Sequence, residues 1–89
     1  MRNQIRPHTL ERARERGAGV VQIEDVLRTG IPVPAGGGRL AKSKVYDYDS
    51  EWKGRHYDQQ MVKVIYLVEG DLLTTVTVVV YYGRWREDR

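Results

Sequence analysis

The chain has 89 residues, 15 lysines and arginines against 12 acidic residues, a formal net charge of +3 and no cysteine. A domain of this length buries only about 60 to 65% of its unfolded surface, so its core is thin, and the absence of cysteine excludes a disulfide framework and a thiolate metal site. The longest apolar run, "TVTVVVYY", falls far short of the roughly 20 residues of a membrane-spanning helix. Nothing near the amino terminus has the pattern of a signal peptide, and the expectation is one cytoplasmic domain over residues 1–89 with no membrane contact.

In chain order, Pro7 suits the first turn of a helix and Gly17 ends it, which predicts a first helix over 8–16. "VVQIEDVLRTG" predicts a second over 21–29, with Val21, Ile23, Val26 and Leu27 on one face and Gly30 as its stop. "IPVPAGGGR" has two prolines and three consecutive glycines and reads as a loop over 30–38. Beyond Arg39 the period becomes strand-like, giving strands over 40–49, 56–69 and 72–82, with "EWKGR" and "EGD" as turns. "RNQIR" would supply a fourth strand. A two-residue loop at Gly70 and Asp71 would set Val68 opposite Leu73, Val64 opposite Thr77 and Lys63 opposite Val78. The expected architecture is α+β, with two N-terminal helices packed on a twisted antiparallel sheet of three to four strands. Alternation gathers Ile65, Leu67, Val76, Val78 and Val80 on one face of that sheet and Val62, Val64, Val68 and Val79 on the other. Which face meets the helices is open, and an apolar second face would suit a homodimer or another partner.

Basic residues concentrate in "MRNQIRPHTLERARERG" and "YYGRWREDR", and acidic ones in "YDYDSE" and around Asp58. That distribution suggests a polyanion at one face. His8 and His56 stand in no metal-ligand frame, "YDYDSE" lacks the glycine and closing glutamate of a calcium loop, and the triple glycine precedes a strand rather than a phosphate-binding helix. No metal or cofactor is expected.

The remaining chemistry lies in the row His8, Arg12, Arg16, spaced by four along one helix. Arginine offers a planar fork of donors to phosphate oxygens, and histidine moves protons near neutral pH. Metal-free RNA cleavage needs this pair of functions. The plainer alternative is a solvated helix face on which Glu11 and Glu15 balance the arginines. Tyr81 and Tyr82, with Arg84 and Arg86 beyond, would stack bases and hold phosphates. Lys63 is either an exposed-face lysine or a phosphate contact.

The sequence "HTLERARERG", a second helix "IEDVLRTG" and a strand ending "TVVVYY" resemble the small uncharacterised domains of the RelE/ParE-like (BrnT-like) toxin superfamily. The carrying motif is H-x-x-x-R-x-x-x-R-G in the opening helix, with a threonine shortly before an aromatic in the last strand. The resemblance implies a compact RelE-like α+β fold and metal-independent RNA cleavage, or inhibition of another target, with a neutralising antitoxin or immunity protein as partner. By position it carries over His8, Arg12 and Arg16, and Thr77 and Tyr81 from the strand. His8 would then be the general acid or base, Arg12 and Arg16 would bind the scissile phosphate, Tyr81 would meet a base, and Arg39 or Lys63 would add charge. The rival expectations are a non-catalytic RNA- or protein-binding module of the same fold and an interaction protein whose edge strand "LAKSKVYDY" pairs with a partner.

Overall fold

Pro7 opens helix α1 (Pro7–Glu15), and the helix closes where Gly17 takes φ +92°. There the Ala18 N–H donates to Ala13 O at 2.8 Å and the Gly17 N–H to Arg14 O at 3.1 Å, the left-handed C-terminal cap that glycine allows. Gly19 begins helix α2 (Val20–Thr29), and its N–H donates back to the Gln22 side chain at 3.2 Å. The computed structural model describes residues 1–85. The phosphate contact expected of Arg86 lies outside those residues.

Five strands form one sheet: β1 (Arg2–Gln4), β2 (Ile31–Val33), β3 (Leu40–Trp52), β4 (Arg55–Glu69) and β5 (Leu72–Gly83), in the order β1-β5-β4-β3-β2. This corrects the expected architecture. The sheet is mixed rather than antiparallel, because β1 runs parallel to β5, and it has five strands rather than three to four. The helices follow a strand instead of opening the chain. β1 lies within "RNQIR", the expected fourth strand, but runs parallel, whereas β2 falls in the segment read as a loop. Both are three residues long and mostly exposed, so they carry no burial pattern to read. β1 is held by backbone pairing, with Arg2 N–H donating to Asp71 O at 2.7 Å. β2 contains Pro32, which reads as loop but is tolerated on an edge strand.

The core lies between one sheet face and the helices. Thr9 and Ala13 of α1, Ala18 of the link, and Ile23, Val26 and Leu27 of α2 pack against Val62, Val64, Tyr66, Leu73 and Val78. Val21, expected on the inner face of α2, is exposed. Small residues on α1 let it approach β5 closely, and buried Thr75 donates to buried Thr9 at 3.1 Å while accepting the Arg6 N–H at 3.1 Å.

The hairpin turns at Gly70, and Val68 pairs with Leu73. Farther along the register slips by one: Ile65 pairs with Thr77 but Tyr66 pairs with Thr75, leaving Val76 as the extra residue of a bulge. A one-residue slip exchanges the faces. The helices therefore meet the Val62 and Val64 side of β4 together with Val78 and Val80 of β5. Neither expected face set survives intact, since Val64 faces Val78 and Lys63 faces Val79.

Candidate functional site

β1 covers β5 only from Leu72 to Thr74, so the outer edge of β5 beyond it needs other partners for its backbone. The row on α1 supplies them. The His8 imidazole Nε2 lies 3.3 Å from Val76 O, and Arg16 donates from its guanidinium to Val78 O at 2.6 Å. A carbonyl accepts only, so the His8 contact requires the proton on Nε2 and leaves Nδ1 as the acceptor of the neutral ring. Arg12 is exposed and its side chain has no hydrogen bond or ion pair among the described residues.

Where α1 ends, a polar network ties the two helices to the sheet. The Tyr82 hydroxyl donates to Arg16 O at 2.6 Å and accepts from Gln60 Nε2 at 3.1 Å. Gln60, 2% exposed, also donates to Gly17 O at 3.0 Å and accepts from Gln22 Nε2 at 2.8 Å. Burial pushes the Tyr82 phenol above its ordinary pKa. Among the described residues no buried side-chain nitrogen or oxygen lacks a hydrogen-bond partner.

Tyr82 is also the centre of an aromatic cluster. The β3–β4 hairpin breaks register between Asp47 and Ser50, with Asp49 at φ 44°, and turns at Lys53 and Gly54, both at positive φ. Its tip thereby reaches Tyr82: Trp52 stacks on that ring at 5.0 Å and 14°, Tyr48 meets it edge-on at 5.1 Å, and Tyr57 lies 5.5 Å away. Two cations cap the cluster, with Lys53 Nζ 5.7 Å from the Trp52 ring centre and Arg55 5.8 Å from that of Tyr57. Arg16, Trp52, Lys53 and Tyr82, with Glu15, line a shallow recess of about 280 Å³.

The sequence-predicted residues thus divide. His8 and Arg12 lie on α1, and Arg16 is the residue that caps its C-terminal end. Arg39, Lys63 and Thr77, distant in sequence, line one recess of about 470 Å³ with Pro34, Ala35, Gly36, Ile65 and Val76. Tyr81 pairs with Met61, and alternation places it on the Lys63 face, away from the helices. Arg84 ion-pairs with Asp58.

Two clusters were not anticipated. Asp25 on α2 accepts from Lys44 and Tyr46, each at 2.7 Å, and from Arg28 at 3.0 Å. Chiefly the Lys44 and Tyr46 bonds lower its carboxyl from 3.8 to about 2. Asp49, His56 and Asp58 bring one potential ligand atom each within 4.8 Å of one another. His56 is bonded to Asp49 at 2.8 Å, and Arg84 holds Asp58, so a guanidinium already stands at that cluster. Both clusters join residues from different elements, which local spacing does not reveal. The aromatic interleaving of "YDYDSEWKGRHY" was the available signal for the hairpin.

No protein-family model, curated protein or solved structure matches this chain. Among the described residues no helix is long and apolar enough to cross a membrane.

Proposed function

We propose that the chain is an RNA-binding domain of the toxin-like kind named above, contacting single-stranded RNA with the outer face of α1 and the folded-over β3–β4 hairpin. The carrying observation is the stack of Trp52 on Tyr82, capped by Lys53 and bordered by Arg16. Aromatic faces bind bases without strict sequence preference, and flanking cations bind the phosphates between them. Arg12, one helical turn from Arg16, extends the cationic row.

His8 and Arg16 meet the β5 edge, and this favours positioning over chemistry. Cleavage by the same surface is the second reading, and one feature favours it. His8 is exposed, and its 3.3 Å contact is long for a hydrogen bond, so the imidazole is accessible to a bound RNA. Tyr81, on the other face, takes no part in that version.

The test is anisotropy of a fluorescein-labelled 12-nucleotide oligouridylate with the full chain across a salt series, with gel analysis of the same RNA in chelator. Salt-dependent binding that Arg12→Ala and Lys53→Ala weaken supports the RNA-binding reading. Chelator-resistant cleavage abolished by His8→Ala would replace it with the ribonuclease, and salt-insensitive or absent binding would overturn both.

A further inference from the structure

The sheet face away from the helices carries a different pattern. Register places Ile31, Ser43, Lys63 and Val79 in one cross-strand row and Val33, Ala41, Ile65 and Thr77 in the next, with Val45, Met61 and Tyr81 on the other side of Lys63. Ile31 is 70% and Tyr81 46% exposed. Lys63 is therefore a half-buried cation within an apolar patch. The bulge at Val76 turns both Val76 and Thr77 into the recess beside it, where Arg39 brings a second cation. Neither cationic side chain has an ion pair or hydrogen bond among the described residues, and no carboxylate lines the recess. The acidic residues that alternation puts on this face, Asp47 and Glu69, pair with Gln59 and Leu72 near its two ends.

We infer that this face docks a protein segment presenting one carboxylate between apolar side chains, with the carboxylate in the Arg39–Lys63–Thr77 recess and its neighbours over the surrounding aliphatic rows. The choice of occupant follows from charge. A half-buried ammonium among aliphatic groups gains from an opposite charge in the same low-dielectric setting. A second copy laid symmetrically on this face would bring like charges together. RNA fits less well, because the recess walls are aliphatic and offer two cations rather than a row. This inference does not rest on the RNA reading, which uses the opposite side of the molecule.

The test is selection of a random 12-residue peptide display library on the full chain, followed by titration of the enriched peptides as synthetic, labelled probes. Enriched peptides are expected to carry Asp or Glu flanked by apolar residues. Their affinity should fall about tenfold or more with Lys63→Glu or Arg39→Glu, and with Lys63→Met where circular dichroism confirms the fold, while Arg12→Ala leaves it unchanged. The inference is overturned if no peptide enriches, if the enriched peptides lack a carboxylate, or if both charge reversals are without effect. It is equally overturned if sedimentation shows a dimer that Lys63→Glu dissolves, or if Lys63→Glu removes oligouridylate binding as Arg12→Ala does.

Discussion

Arg16 donates to the carbonyl oxygen of Val78 across 62 residues of sequence, at 2.6 Å. A residue spaced as a phosphate ligand thus closes the exposed edge of a strand, and its own carbonyl accepts from Tyr82. Arg16→Ala should lower stability by about 1.5–3 kcal/mol, the range for a hydrogen bond to a charged donor. Arg12→Ala, at an exposed position, should stay within about 0.5 kcal/mol of the parent. Urea unfolding of the two variants makes the comparison. Equal stabilities would show that the Arg16 contact carries no weight.

The Gln60 side chain satisfies two acceptors and one donor. Gln60→Leu removes all three hydrogen bonds at once without changing the volume much. The expected loss is about 2–4 kcal/mol, from three orphaned groups at about 1 kcal/mol or slightly more each. Tyr82→Phe keeps the ring contacts and removes only the hydroxyl, so it should cost about 1 kcal/mol. A Gln60→Leu variant no less stable than Tyr82→Phe would contradict the network.

Much of the fold was legible where elements are long. The caps at Pro7, Gly17 and Gly30 and the alternation along β4 are local signals, and they locate both helices and the central hairpin. Of the two edge strands, "RNQIR" marked β1 but not its parallel pairing, because three exposed residues bury nothing, and β2 was not legible, since Pro32 points to a loop. The bulge at Val76 was invisible for a related reason. In "TTVTVVVYY" either register buries valines, so only the partner strand decides which ones face the helices. For the candidate site, spacing put His8, Arg12 and Arg16 on one helix but could not tell that a strand edge lies beside two of them. Arg39, Lys63 and Thr77 meet through pairing between strands and a loop, which sequence separation conceals.

Gly17 sits at φ +92°, and a methyl group there would run into the Tyr82 hydroxyl and the Trp52 ring. Gly17→Ala combines backbone strain with a clash against two parts of the aromatic cluster. It should cost more than about 1 kcal/mol, the reverse of the usual gain from replacing glycine. Thermal melts would register this as a fall of several degrees, at about 4–8 °C per kcal/mol for a domain of this size. An unchanged melting temperature would mean that the hairpin tip does not rest on the helix end.

Asp25 has a folded-state pKa of about 2 against an ordinary 3.8, chiefly through its bonds to Lys44 and Tyr46. A pKa depressed on folding stabilises the ionised form. The contribution is therefore complete above the unfolded value and is lost as the pH falls from about 4 towards 2. Asp25→Asn should remove that part of the acid dependence. The two proteins would then differ in stability at pH 6 and converge near pH 2. Parallel curves throughout would assign the acid sensitivity to other carboxylates.

RNA binding separates positioning charges from stacking rings. Arg12→Ala and Lys53→Ala each remove one cation from the surface without touching the core. Each should weaken oligouridylate binding at low salt and reduce the slope of log affinity against log salt by about 0.7, the counterion release expected per phosphate on a single strand. Trp52 acts through its π face, so Trp52→Ala should lose about 1–3 kcal/mol of binding with little change in slope. Since Trp52 also stacks on Tyr82, that variant needs a companion. Trp52→Phe keeps an aromatic face over Tyr82 and should recover most of the affinity, whereas a variant that merely unfolds the hairpin would change slope and affinity together. If Trp52→Ala and Lys53→Ala bind RNA as the parent does, the hairpin is a structural cover for Tyr82 and the RNA contacts are confined to α1.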